Sequence, residues 1–290
     1  MTEASAPPPV PQRSKRRLPM VLTSPVAVIG GSIVAFWCLV ALFAPLLAPY
    51  SPVAQFVPFQ TPGATGPEGR FFLLGTDHLG RDLASRVIWG ARRVLLYSVA
   101  ATASAYVVGV TMGLVAGYLR GWIDDVLSTI ANIVLSFPVL VLYVVLISVY
   151  GASVINIMLA ITFASAPGIM RIVRGVVFDL RNRDYVASAQ TRGESSFYIM
   201  FFEILPNATS LLIVDACLRL GYVTITIGVL GFLGLGLPPP QPDWGGMVNE
   251  TRSMASFAPH LTIVPCLAIS SLVLGLNLLA DGLRETELKD

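Results

Sequence analysis

Between Val26 and Ala48 the chain runs without a charged residue. A stretch of that length suits one helical crossing of a hydrocarbon layer, which needs about 20 apolar residues. In lipid every backbone amide must find its partner inside the protein, so only helices and closed barrels can cross. Five further apolar stretches follow at about 94–118, 126–149, 153–170, 209–236 and 261–280. Each is apolar on every face, unlike the alternating segments of about 10 residues that build a membrane barrel. These runs predict an all-α membrane protein with six transmembrane helices. Composition agrees, since 54% of the chain is hydrophobic and 12% charged, against about 25% charged in soluble domains.

Residues 1–24 are rich in proline and basic side chains, a composition that does not bury a core. The apolar run that follows exceeds the roughly 7–15 residues of a signal-peptide core, and no A-x-A pattern follows it, so 25–49 reads as an uncleaved first transmembrane helix. With the basic N-terminus inside, six crossings return the tail at 285–290 to the cytoplasm. Residues 50–93 then form an extracytoplasmic loop, and 94–284 form a five-helix core with an inner loop at 171–208 and an outer loop at 237–260. Basic residues favour the inner side, from Arg13 to Lys289, over the outer set of Arg70, Arg81, Arg86, Arg92, Arg93 and Arg252.

Several chemistries lack their residues. A net charge of +2 gives no basis for a nucleic-acid partner. Cys38, Cys217 and Cys266 all lie in apolar runs and read as buried small apolar side chains, with no disulfide or thiolate metal pattern. The two lysines, Lys15 and Lys289, sit at the chain ends, and neither belongs to a G-x-x-x-x-G-K-[ST] phosphate loop. GTDHLGRD, residues 75–82, brings Asp77, His78 and Asp82 close in sequence, but no metal or hydrolase motif accompanies it. It reads as a turn whose Thr and Asp side chains cap local backbone. In LGLPPPQPDWGG, residues 235–246, the prolines end the fifth helix. Trp244 and Met247 behind them are expected at the membrane interface or against an outer partner.

Within the second run Gly109, Gly113 and Gly117 share one helical face, where a neighbouring helix can approach closely. In the fifth, Asp215 and Arg219 stand four apart and are placed to pair.

The most polar loop is YVASAQTRGESSFYIMFFEILPN, residues 185–207. Tyr185, Ser188 and Ala189 fall at three and four spacing, with Arg183 and Asp184 at the head of a short amphipathic helix. Gly193 supplies a break, and Ser195 can cap a second helix leading toward Pro206. Read alone, such a loop is a helix lying on the bilayer surface.

The pattern Ala187, Ser188, Ala189, Gly193, Leu205, Pro206 resembles the cytoplasmic loop of permease subunits of bacterial ABC importers, although Ala187 stands where that family has glutamate. LGTDHLGRDLASRVIWGAR, LSFPVL, IVRGVVFDLRNRDYV, FLGLGLPPPQPDWGGM and NLLADGLRE extend the likeness to the second permease of dipeptide, oligopeptide and nickel importers. The resemblance implies a type I ABC importer permease fold and a non-catalytic subunit in the bacterial cell membrane. It implies a homologous second permease, two ATPase subunits that hold ATP and magnesium, an extracytoplasmic binding protein and a peptide, nickel or other small-ligand substrate. It assigns ATPase coupling to the helix carrying Arg183 to Ala189, with Gly193, Leu205 and Pro206. A translocation path between the two permeases is then expected near Asn132, Asn156, Thr162, Ser165 and Asp215, the polar residues at membrane depth. Two other classes are weaker: a self-contained ion-coupled carrier wants several intramembrane acids and inverted halves, and an intramembrane enzyme wants facing nucleophile and base.

Overall fold

A computed structural model describes residues 24–287 apart from positions 68 and 239, so the reading of the basic N-terminal stretch lies largely outside the described residues. Helix α1 (Pro25–Leu42) and a short α2 (Ala44–Leu47) lead into a loop with a small antiparallel hairpin, β1 (Ala64–Thr65) and β2 (Phe71–Phe72). Then come α3 (Leu83–Leu119), α4 (Gly121–Ser136), α5 (Val139–Tyr150) and α6 (Val154–Leu180). The polar loop holds α7 (Asp184–Thr191) and α8 (Ser196–Tyr198), and a π-helical stretch (Ile199–Ile204) carries the chain from it into α9 (Leu205–Phe232). Helices α10 (Trp244–Thr251) and α11 (His260–Glu287) complete the order.

Among the described residues five helical stretches are long and apolar enough to cross a membrane, and α4 with α5 makes a sixth if the pair is one crossing. That pair corrects the continuous run expected over 126–149, because it bends by 90° between Ser136 and Val139. Pro138 lacks the amide that would continue the ladder, and the residue before a proline is pushed out of the helical region. Phe137 is accordingly extended, at φ −86° and ψ 142°.

The most extensive helix pairing joins α3 to α6. A Cβ on Gly109 would lie 2.6 Å from the Cβ of Ile169, one on Gly113 2.5 Å from that of Val173, and one on Gly117 2.8 Å from that of Val177. Contacts that advance together along both helices mean that α3 and α6 run in the same direction. The glycine face is therefore the close seam its spacing predicts, and the side chains of α6 fill the notches. A second seam joins α1 to α11 in opposite directions, with Gly30 against Gly275 and Leu279, and Gly282 against Ala27.

One end of the bundle carries α7, called here the elbow end. The other, the cap end, holds the hairpin loop and α10. In the cap, Asp77 accepts hydrogen bonds from the Leu79 and Arg81 amides at 2.9 Å, and Thr76 Oγ1 accepts from the Gln60 amide and donates to the Val57 carbonyl. Asp82 caps α3 by accepting from the Ser85 amide at 2.8 Å. GTDHLGRD is thus a turn held by its own Thr and Asp side chains.

Trp244 and Met247 correct the expectation of an interfacial or partner-facing role, since both are buried. The Trp244 ring fills the notch left by Gly90, stands edge-on to Trp37 at 4.9 Å, and donates Nε1–H to the Val87 carbonyl at 3.0 Å. Cys38 and Cys266 are also corrected: both are exposed on the outside of the bundle, and Cys217 is half-buried. A lipid-facing surface is itself apolar, so an apolar residue there needs no interior position.

Asp243 caps α10 from a fully enclosed site, accepting from the Gly246 amide at 3.2 Å, with Gly231 and Gly236 pressed against its carboxyl. Burial pushes that carboxyl up from 3.8 to about 6, against the opposing pull of the Gly246 and Gly245 amides. The folded protein then holds the proton more tightly than the unfolded chain. The associated stability is fully present below the ordinary value of 3.8 and is lost as pH rises through about 6. Asp243→Asn is expected to flatten this part of the pH profile of thermal unfolding in detergent, and an unaltered profile contradicts a buried ionisable group there. Gly113→Leu is expected to prevent α3 from seating on α6 and to remove most folded protein from the membrane fraction. Gly175→Ala, where nothing lies within 4 Å of the added Cβ, should leave that amount unchanged.

Candidate functional site

The polar loop folds into a rigid elbow. Helix α7 closes with the two hydrogen bonds of a glycine-terminated helix: the Gly193 amide donates to Gln190 O at 3.0 Å and the Glu194 amide to Ala189 O at 3.2 Å. Gly193 sits at φ +78°, which a residue without a Cβ adopts at little cost. Ser195 then caps the next turn by accepting from the Tyr198 amide at 3.2 Å, as its position predicts. From Ser196 to Phe232 the chain stays helical, passing through the π stretch and over Pro206 in the first turn of α9. Proline is tolerated there because its missing amide lies where the preceding wide turn already breaks the ladder.

The elbow is seated by apolar packing. Val186 and Ala189 are fully buried in a cluster with Val173, Val177, Ile199, Met200 and Ile204. Tyr185 is half-buried against it, and burial raises its hydroxyl above the usual range. Leu205 packs on the same cluster, while Pro206 is exposed. The opposite face of α7 presents Arg183, Asp184, Ala187 and Ser188, together with Thr191 and Arg192. Gly193 is exposed with open space around it.

The residues grouped as one coupling motif therefore separate by role. Ala189 is a packing residue, and Ala187 and Ser188 lie on the free face. Val186, the main anchor, was missed; its three-residue spacing to Ala189 is the signal that could have found it. Arg192 reaches across the turn to Glu203 at 3.2 Å and Glu194 at 3.7 Å. Two ring pairs, Phe197 with Phe201 at 4.7 Å and Tyr198 with Phe202 at 5.1 Å, stiffen the start of the long helix.

At the same end, Arg174 of α6 makes a two-pronged contact with Asp124 of α4, at 2.5 and 2.6 Å. Phe178 lies beneath the guanidinium groups of Arg120 and Arg174, 4.3 and 4.8 Å away. The elbow thus rests on a braced end of the bundle.

The polar residues at membrane depth are dispersed. Asp215 pairs with Arg219 at 2.7 Å, as spacing predicts, and also accepts from the Tyr106 hydroxyl. Asn156 donates to the Tyr150 and Gly151 carbonyls at 2.7 and 3.0 Å, closing the turn between α5 and α6. Thr162 meets Ser104 at 2.6 Å across α3 and α6, and Ser165 is half-buried on α6. Asn132 is exposed on α4 and accepts from Arg171 Nη2 at 2.7 Å.

At the cap end, Asp77, His78 and Glu250 offer ligand atoms within 4.8 Å of one another. Both carboxylates are already held by arginines: Arg81 meets Asp77 at 2.6 Å and Glu250 at 2.5 Å, and Arg86 meets Glu250 at 3.2 Å. Two guanidinium charges so close disfavour a cation, and the quartet reads as a brace between the hairpin loop and α10.

Comparison with known proteins bears on the whole chain. Residues 109–285 match the family described as the binding-protein-dependent transport system inner membrane component, and residues 21–65 match the N-terminal transmembrane domain of oligopeptide transport permease C. The chain is 37% identical over 260 residues to a glutathione transport system permease protein of Pectobacterium atrosepticum, covering 90% of this chain and 85% of that protein. It is 35% identical over 288 residues to a dipeptide transport system permease protein of Alkalihalophilus pseudofirmus, covering 98% and 93%. It is 39% identical over 247 residues to a di/tripeptide transport system permease protein of Pseudomonas aeruginosa, covering 84% and 82%. With its crossing helices, seated elbow and matches over most of its length, the chain belongs to the inner-membrane permease components of binding-protein-dependent ABC transporters, with the type I permease fold.

Proposed function

We propose that this chain is one of two permease subunits of an ATP-driven peptide importer, and that α7 is its coupling helix. The observation that carries the reading is the elbow: a short helix ended by Gly193, anchored through Val186 and Ala189, with its polar face turned outward. The N- and C-termini and the elbow lie in the cytoplasm, where α7 seats in a groove of an ATPase partner that binds ATP and magnesium. The cap faces outward and receives peptide from an extracytoplasmic binding protein. The subunit itself catalyses nothing. Relatives named for dipeptide, di/tripeptide and glutathione transport support a short peptide as cargo over nickel.

Coupling follows from stiffness. Closure of the ATPase sites displaces α7, and the apolar seat passes that displacement to α6 and the long helix that starts at Ser196, turning the permease between outward and inward access as a rigid body. ATP shifts the balance only to the extent that the two states engage the ATPases differently, so the seat must hold under load. The absent glutamate at Ala187 leaves the free face with Asp184, Ser188 and the flanking arginines for polar contact.

The test is reconstitution of the complete complex in vesicles. ATP-dependent dipeptide uptake is expected with all partners present, and gradient-driven uptake by this chain alone overturns the reading in favour of a self-contained carrier. Gly193→Val forces a branched side chain into a left-handed backbone. It is expected to reduce uptake at least about tenfold while ATP hydrolysis continues; one kcal/mol-scale disturbance of the seat suffices for a change of that order. Unaltered uptake in this variant removes the elbow from the mechanism.

A further inference from the structure

Ile199 and Ala208 are both buried in the cluster that seats α7. They stand nine residues apart, which is about 2.5 turns of an α-helix and puts two side chains on opposite faces. Phe197 shows the converse. It stands eleven residues from Ala208, about three turns and so on the same face in α geometry, yet it is 62% exposed. Neither observation fits a helix that is α throughout.

The stretch between them supplies the difference. From Ile199 to Ile204 the helix is π, and at its end the Leu205 amide donates to the Met200 carbonyl, five residues back. Such a stretch takes in about one residue more than an α-helix of the same number of turns. Everything before it is therefore rotated by about 100° relative to α9. The rotation brings Ile199 onto the face shared by Met200, Ile204 and Ala208, and carries Phe197 off it.

Two residues account for the wide turn. In an α-helix the Pro206 ring would press on the Phe202 carbonyl four residues back, and Pro206 has no amide to offer that carbonyl. Pro167 in α6 and Pro265 in α11 nonetheless lie in helices that stay α, so a proline alone does not widen a turn. Pro206 is followed by Asn207, whose side-chain amide donates to the Glu203 carbonyl at 2.6 Å, inside the π stretch. Pro167 is followed by Gly168 and Pro265 by Cys266, and neither carries a side-chain amide. Pro206 itself is exposed.

We propose that Pro206 and Asn207 are positioning residues for coupling. They hold the wide turn, and the wide turn fixes the rotation of the chain ahead of α9, so that Ile199 meets the seat and a displacement of α7 is passed into α9. The inference rests on the coupling reading above and deepens it, because it moves Pro206 from a surface that an ATPase touches to the joint that transmits the push. It also has a geometric corollary. Since the π stretch holds about one residue more than α turns would, an ordinary α-helix shortened by one residue there presents the same faces.

The experiment uses the complete complex in membranes, with Cys38, Cys217 and Cys266 replaced by alanine and a single cysteine placed as Phe197→Cys or Ile199→Cys. A small uncharged maleimide, which enters both water and lipid, reports exposure. With Pro206 and Asn207 in place, position 197 is expected to react at least about tenfold faster than position 199. Pro206→Ala combined with Asn207→Ala is expected to reverse that order, because α geometry turns position 197 onto the seat and position 199 away from it. Local unfolding exposes both sites and cannot produce a reversal. Deleting the exposed Phe202 in the same background is expected to restore the original order. An order that the double substitution leaves unchanged, or two sites made equally reactive, overturns the role given to Pro206 and Asn207. In vesicles, dipeptide uptake per ATP hydrolysed is expected to fall at least about tenfold in the double variant and to return to within about threefold once Phe202 is also deleted. Labelling order restored without uptake overturns the positioning role and leaves Pro206 as a direct contact of the ATPase. Labelling needs no transport, so a complex that moves no dipeptide with Pro206 and Asn207 in place counts against the importer reading, while the labelling order still decides the turn.

Discussion

Lipid gives helices little reason to hide their apolar faces from it, so helix association in a membrane depends on close packing. The seam between α3 and α6 meets that condition with three glycines in register, each receiving a side chain of the facing helix. Its reach is wider than one helix pair. Val173 and Val177, which fill the notches at Gly113 and Gly117, also belong to the cluster that buries Val186 and Ala189. The seat of α7 is therefore defined by how deeply α6 sinks into α3, and a bulky residue in the seam would displace the elbow without touching it.

Polar groups within the bundle follow two regimes. Asp215, Arg219 and Tyr106 form a closed group that satisfies itself among α3, α6 and α9. Thr162 with Ser104 does the same on a smaller scale. Arg171 and Asn132 form an open pair, exposed beside a break in the backbone. The first regime joins helices, and the second leaves hydrogen-bonding capacity directed outward from the chain.

The crossing helices, the glycine seam, the Asp215–Arg219 pair and the Gly193 stop were all legible in the sequence because each follows from local spacing. What was not legible depended on neighbours distant in the chain. Pro138 stood in plain view in LSFPVL, yet averaged hydropathy carries no record of one missing amide, so the run was read as continuous. Trp244 beside a proline-rich stretch looked interfacial; the notch at Gly90 that receives it lies more than a hundred residues away. Ala189 belonged to a motif read as a contact surface, but one side of a two-turn helix must be spent on the seat. The cysteines were placed inside by a rule made for water, and the surroundings of this bundle invert it.

Both ends of the stretch from Ser196 to Phe232 are fixed. One emerges from the Ser195 cap beside α7, and the other passes under α10, where Gly228 and Gly231 press against Gly245 and Asp243 and two arginines, Arg81 and Arg86, tie the hairpin loop to Glu250. At 1.5 Å per residue the 37 residues between them make a rod of about 56 Å. A tie rod clamped at both faces of a wall cannot be pushed at one without being felt at the other. Under the coupling reading, events at the elbow and at the cap would be mechanically one event.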